Sequence, residues 1–193
     1  LQEGCLNVSN IDEIVGQKLL LDIDRNNPLK KEYLINPERE DKLQRIKATF
    51  NKILLDAGVT VTDKDDVELS CHFGLDKFHE TGALIISKIN RSYCKKIIAM
   101  LPNQSHPTHR HLQKEECFEL LKGDCILTLN GRDIQLKRGK PILINTRVDH
   151  SFRTEEGCVI EEVSTTHIKG DSVYENPSIS KLTVDERKIN IQL

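Results

Sequence analysis

The chain has 193 residues, 28 lysines and arginines against 30 acidic residues and a formal charge of −2, so it lacks the basic excess a nucleic-acid binder needs. No apolar run approaches the roughly 20 residues of a membrane span, and the start is not patterned as a signal peptide, which leaves the expectation of a soluble, cytoplasmic chain. Its length suits one domain of about 150 residues with a small attachment, and with 4% aromatic residues and no tryptophan the core must be filled by leucine and β-branched side chains.

The chain begins at Leu1 rather than Met, so we expect it to have been cut or processed from something longer. Residues 1–36 hold two short apolar runs, 14–23 and 33–35, broken by Arg25-Asn26-Asn27-Pro28, and are expected to be an extension too small to close a core. From Asn36-Pro37 onward Leu43, Ile46, Phe50, Ile53, Leu54 and Ala57 recur at helical spacing as far as Gly58. With Asn36 as N-cap and Pro37 at the first helical position, this predicts an amphipathic packing helix over 37–58.

Beyond Gly58 the pattern changes to short runs of valine, isoleucine and leucine between turn residues. Strands are predicted at 67–73, 83–89, 94–101, 117–121, 125–130, 134–136, 141–144, 150–153 and 159–165, with Asn130-Gly131 as a tight hairpin and a last edge strand at 189–191. Many short strands without intervening helices predict a mainly β domain over 59–193, a small antiparallel β-barrel or jelly roll. The six cysteines (Cys5, Cys71, Cys94, Cys117, Cys125 and Cys158) have no CxxC spacing and lie beside or inside apolar runs, so buried free thiols are expected rather than a disulfide framework.

Three of the seven histidines fall in Ser105-His106-Pro107-Thr108-His109-Arg110-His111. On a strand, residues i and i+2 share a face, so His109 and His111 present two imidazoles to one space. Glu116 follows after a short connection, Gly123 supplies a turn, and His150 lies on a later strand. Three neutral nitrogens and one anionic oxygen suit one borderline divalent metal ion and leave about two positions open on an octahedral ion; Mn, Fe, Zn, Ni and Co all accept such a set.

The run His109-x-His111-(x4)-Glu116-(x6)-Gly123, followed by Gly139 and His150, resembles the two motifs of the cupin superfamily. That resemblance implies a cupin-type antiparallel β-barrel in which His109, His111, Glu116 and His150 bind the metal. The first motif opens on Asn103 where a glycine is usual, and the second has Asn145, Arg147 and Thr154 at positions usually held by other residues. Phe73-Gly74, Gly82-Ala83-Leu84-Ile85-Ile86, Lys96-Ile97-Ile98, His150-Ser151-Phe152 and Glu162-Val163-Ser164 look like stretches of the D-lyxose ketol-isomerase family.

A further similarity is to the cupin unit attached after the barrel of some sialic-acid (N-acetylneuraminate) synthase-like proteins. It runs through Gly74-Leu75-Asp76-Lys77-Phe78, Arg91-Ser92-Tyr93-Cys94-Lys95-Lys96 and Glu161-Glu162-Val163-Ser164-Thr165-Thr166-His167. In that case Gly16-Gln17-Lys18-Leu19, Asp22-Ile23 and Pro28-Leu29 would belong to the tail of a preceding domain; otherwise this stretch is a strand and loop of the barrel itself.

A metal with two open positions can hold adjacent carbonyl and hydroxyl oxygens of an open-chain sugar and stabilise the enediolate formed when a base moves a proton between neighbouring carbons. The isomerase resemblance implies Lys96 and Glu162 as catalytic groups. Lys96 is read as pointing inward because Cys94 and Ile98 share its parity, and Glu161 is the rival of Glu162. Glu119, His106 and His167 are candidate sugar contacts; His72 and His79 are read as structural or surface residues. The favoured function is aldose–ketose isomerisation, with a non-catalytic sugar-binding module of a synthase-like chain as the alternative and a metal-dependent dioxygenase as a third class. Pairing of barrels through strand edges, giving a homodimer, is expected by analogy alone.

Overall fold

The structure is a computed structural model describing residues 37–193. The expectations for residues 1–36, including Cys5, the Asn36 cap and the tail of a preceding domain, lie outside the described residues. The chain divides into two units between residues 47 and 48, within the first helix.

The predicted helix is α1 (Pro37–Asp56). It stops where Gly58 adopts a left-handed φ of 69° and the Val59 N–H returns to the Leu54 carbonyl at 2.9 Å, a glycine-dependent helix end. On its second half Phe50 and Leu54 are buried, and the Phe50 ring meets Phe78 edge-on with centroids 6.0 Å apart.

Twelve strands follow: β1 (Asp66–Ser70), β2 (Ala83–Asn90), β3 (Tyr93–Met100), β4 (Ser105–His111), β5 (Glu116–Gly123), β6 (Ile126–Leu129), β7 (Arg132–Gln135), β8 (Ile142–Ile144), β9 (His150–Arg153), β10 (Cys158–Thr165), β11 (Ser172–Tyr174) and β12 (Lys188–Asn190). A one-turn helix, α2 (Pro177–Ser180), lies between the last two and is capped by the Asn176 side chain. The strands make a seven-stranded sheet, β12-β1-β2-β3-β10-β5-β8, and a five-stranded sheet, β11-β4-β9-β6-β7. Among the described residues no ladder joins the edges of one sheet to the other, so of the expected antiparallel barrel or jelly roll the protein forms the jelly roll, with two sheets that do not close.

The period-two alternation places Ile98, Met100, Phe118, Leu120, Leu127, Phe152 and Ile160 in one buried cluster. Burial of this set is the main stabilising term, at about 1.5–3 kcal/mol for each large apolar side chain. Two strands were not in the predicted set. Residues 105–111 are too polar to register as a strand, and 172–174 is only three residues long. The alternation predicted at 189–191 becomes β12, paired to β1 with Leu69 opposite Ile189. Cys94, Cys117, Cys125 and Cys158 are free thiols, all buried except the half-buried Cys117, and Cys71 is buried as well. No helix among the described residues is long and apolar enough to cross a membrane.

Candidate metal centre and catalytic cleft

Strand β4 carries its histidines into the space between the sheets. Its register with β9 shifts between His106 and His109, and this bulge turns what would be opposite parity into a shared face. His106, His109 and His111 are all buried, while Pro107, Thr108 and Arg110 are half-buried. His150 is the register partner of His109 on the neighbouring strand.

One ligand nitrogen from each of His109, His111 and His150 lies within 4.8 Å of the others. His109 holds its Nδ1 at 3.0 Å from the Pro107 carbonyl, and His150 holds its own at 3.0 Å from the Val148 carbonyl. Donation to these carbonyls protonates Nδ1 and leaves the Nε2 lone pair available. The Nε2 of His150 is buried with no partner among the described residues. Burial, reinforced by neighbouring imidazoles, holds His109 and His150 below the ordinary histidine value, so both are neutral. Converging neutral imidazoles and an orphaned buried nitrogen fit a divalent metal.

Glu116 touches this group. Its Oε1 is 2.7 Å from His111 Nε2 and its Oε2 is 3.7 Å from His150 Nε2. Burial pushes its carboxyl up, but Lys114, an ion-pair partner of Oε1, and the contact with His111 hold it well below the usual carboxylate range.

The catalytic candidates meet by register. Lys96 on β3 and Phe118 on β5 flank Glu162 on β10, and Lys96 and Glu162 are both buried. Lys96 Nζ lies 3.9 Å from Glu162 Oε1, whereas Lys95 pairs with Glu161 at 2.6 Å on the other face. Lys114 Nζ donates to the same Glu162 oxygen at 2.8 Å, as does Ser164 Oγ at 3.1 Å. Burial and the neighbouring Glu116 push Glu162 up, but Lys96 and Lys114 outweigh them, so its carboxyl lies below the ordinary value and stays ionised. These three contacts all fall on Oε1, leaving Oε2 without a protein donor among the described residues.

His167 is drawn in by Lys96, whose Nζ is 3.2 Å from its Nδ1. Burial and the ammoniums of Lys96 and Lys114 lower it to about 3, leaving it neutral. His106 lies flat on Phe152, with centroids 4.6 Å apart and planes 6° from parallel. Together with Lys96, Glu162, His109 and His111 it lines a cleft of about 70 Å³, which shares Ser70, Tyr174 and Lys188 with an open chamber outside it. Glu119 does not join this group: it follows the parity of Cys117 and Leu121 on the outer side of β5, where its Oε1 accepts the Gly139 N–H at 2.8 Å.

Three site residues escaped the sequence reading. Lys114 is buried between Glu116 and Glu162, and its shared parity with Glu116 was the available signal. Tyr174 stacks on His109 at 5.3 Å and places its hydroxyl 2.9 Å from the Nε2 of His72, a buried histidine behind it. Asp171 lies behind His111, 3.5 Å from its Nδ1.

Residues 96–163 match the sequence model of the cupin domain family. This part of the chain is a cupin domain. Its span reaches from Lys96 to one residue past Glu162 and includes all four expected metal ligands. Over 175 residues the chain is 23% identical to the D-lyxose/D-mannose isomerase of Thermosediminibacter oceani, covering 75% of this chain and 96% of that protein. It is 25% identical over 162 residues to the D-lyxose ketol-isomerase of a Thermofilum species, covering 68% and 89%. A solved L-ribose isomerase from Cellulomonas parahominis shares the fold of the cupin domain and its surroundings, with a TM-score of 0.61 at 13% identity over 73% of this chain and 94% of that one. These similarities give no support to a synthase-attached unit.

Proposed function

We propose that the protein is a metal-dependent aldose–ketose isomerase for a small sugar, of the kind named by its D-lyxose and D-mannose isomerase relatives. The observation that carries this reading is the ionised Glu162, buried between Lys96 and Lys114 and lining the same cleft as His109, His111 and Glu116. His109, His111 and His150, with Glu116, would hold one divalent ion. When bound, such an ion supplies Lewis-acid stabilisation of the negative charge that develops on neighbouring carbonyl and hydroxyl oxygens.

Isomerisation then needs a group that takes a proton from one carbon and returns it to the next. Glu162 fills this role through Oε2, while Lys114 and Ser164 fix the carboxylate through Oε1. The two ammoniums keep the carboxylate ionised and able to accept a proton, and its burial leaves no water shell to be removed before it meets the C–H bond. Lys96, between Glu162 and the neutral His167, is placed to shift the proton between the two sugar oxygens. His106 and His167 bound the space in which the remaining hydroxyls sit.

The test is incubation of the metal-loaded protein with a panel of aldoses and ketoses in deuterated water, comparing Mn, Co, Zn, Ni and Fe. Deuterium entering C1 or C2, with interconversion of the paired sugars and loss of both in Glu162→Gln, is the expected result. Full metal occupancy with no exchange in any sugar would overturn the reading.

A further inference from the structure

Each imidazole of the metal centre needs something at Nδ1 to keep its Nε2 facing inward. His109 and His150 use backbone carbonyls two residues before them. His111 has no such carbonyl; its Nδ1 faces Asp171 Oδ2 at 3.5 Å and Ser172 Oγ at 3.4 Å. Asp171 is 6% exposed and lies outside the span that matches the cupin family.

The same carboxylate organises the connection that follows His111. Its Oδ1 accepts the Gln113 N–H at 3.0 Å and its Oδ2 accepts the Lys114 N–H at 3.0 Å, while its backbone carbonyl accepts the Leu112 N–H at 3.4 Å. Three successive amides between His111 and Lys114 therefore end on one residue. On its other edge His111 Nε2 lies 2.7 Å from Glu116 Oε1. The imidazole thus has a carboxylate at each nitrogen, and either tautomer of the neutral ring would find an acceptor for its hydrogen. A cation requires the Nε2 lone pair, so the hydrogen must then reside on Nδ1, toward Asp171.

We propose that Asp171 is a positioning residue with two linked tasks: it stabilises the Nδ1–H form of His111 that can ligate a cation, and it fixes Lys114 where that lysine bridges Glu116 and Glu162. The proposal rests on the metal-dependent reading above. A carboxylate behind a ligating imidazole orients the ring and raises its basicity, and losing it typically weakens metal binding by about 10–100-fold.

The test uses the full chain, freed of metal and titrated with cobalt(II) by calorimetry, in wild type, Asp171→Ala, Asp171→Asn and Ser172→Ala. We expect about 10–100-fold weaker cobalt binding in both Asp171 variants and near wild-type binding in Ser172→Ala. Amide hydrogen exchange at both Gln113 and Lys114 should quicken in Asp171→Ala, whereas Asp171→Asn, whose single amide oxygen can stand in for one of the two carboxylate oxygens, should keep one of them protected. Asp171→Asn, which keeps the side chain's size and one of its two acceptor oxygens, carries the test if the alanine variant does not fold. Unchanged cobalt affinity in Asp171→Asn overturns the proposal, as does an equal loss in Ser172→Ala or an absence of cobalt uptake by the wild type. Cobalt binding that depends on Asp171 in a protein that exchanges no sugar proton would overturn the isomerase reading and leave this one standing; an active enzyme with an indifferent Asp171 would do the reverse.

Discussion

Lys114 donates to Glu162 across 2.8 Å of buried space, although 48 residues separate the two in the chain. The ammonium is shared with Glu116, so one cation holds together the carboxylate beside the candidate metal centre and the carboxylate proposed as base. The two acids hold the Lys114 ammonium above its ordinary value despite the burial that works against it.

Removing one member of this set should therefore affect stability and turnover differently. Lys114→Met leaves two buried carboxylates without their cation and should cost about 3–5 kcal/mol of unfolding free energy. Glu162→Gln should lower isomerisation by about 10²–10⁴-fold in a protein that still folds. The double variant should be more stable than Lys114→Met alone, because one uncompensated charge has gone with the ammonium. Denaturant melts of the three variants check this, and a wild-type midpoint for Lys114→Met would contradict the bridging role.

Binding of a cation only by the folded chain should raise stability in proportion to the logarithm of its concentration. At about 100 times its dissociation constant the gain is about 2.7 kcal/mol. A His109→Ala/His111→Ala variant should show no such gain and should carry well below one equivalent by elemental analysis. An identical thermal shift in both proteins would place the ion elsewhere.

His72 gives a pH signature away from the candidate metal ligands. Burial, with Arg187 and Lys188 nearby, lowers it to about 3, whereas an unfolded chain protonates this side chain near 6.5. The folded state thus binds fewer protons. Its stability is full above 6.5 and falls as the pH drops from there toward 3, with a slope of up to about 1.4 kcal/mol per pH unit. Urea melts between pH 7 and 4.5 should show a shallower decline for His72→Gln than for wild type; parallel declines would mean that His72 titrates normally.

Gly123 closes β5 where the chain passes the β10 bulge, with a φ of 81° and room for no side chain: a Cβ there would lie 1.9 Å from the Gly157 carbonyl oxygen. Gly123→Ala combines backbone strain with a clash against backbone and should cost about 2–6 kcal/mol. Gly131→Ala, at a hairpin tip with open space around it, should cost less. Thermal melts that rank the two in the opposite order would count against this packing.

The register of β3 and β10 shows how far the sequence could be read. Cys94, Lys96 and Ile98 share a parity, and the apolar pair indicated that Lys96 turns inward; the structure buries it, sends Lys95 to the surface, and sorts Glu162 from Glu161 in the same way. Glu119 obeys the identical rule, since Phe118 and Leu120 occupy the inner face of β5 and leave it outside. His106 broke the rule because a bulge, which no alternation reveals, shifted β4 by one residue.

Local chemistry in the sequence was enough to determine the helix, the turn glycines, most of the strands and the spacing of His109, His111, Glu116 and His150, because these depend on residues a few positions apart. Only the tertiary structure decided that two sheets face each other without closing, that Lys114 joins Glu116 to Glu162, and that Asp171 and Tyr174 from beyond the cupin domain complete the wall behind His111 and His109. Those relationships depend on which strands pair and in what register, and the burial of the whole core selects that pairing rather than any short stretch of chain.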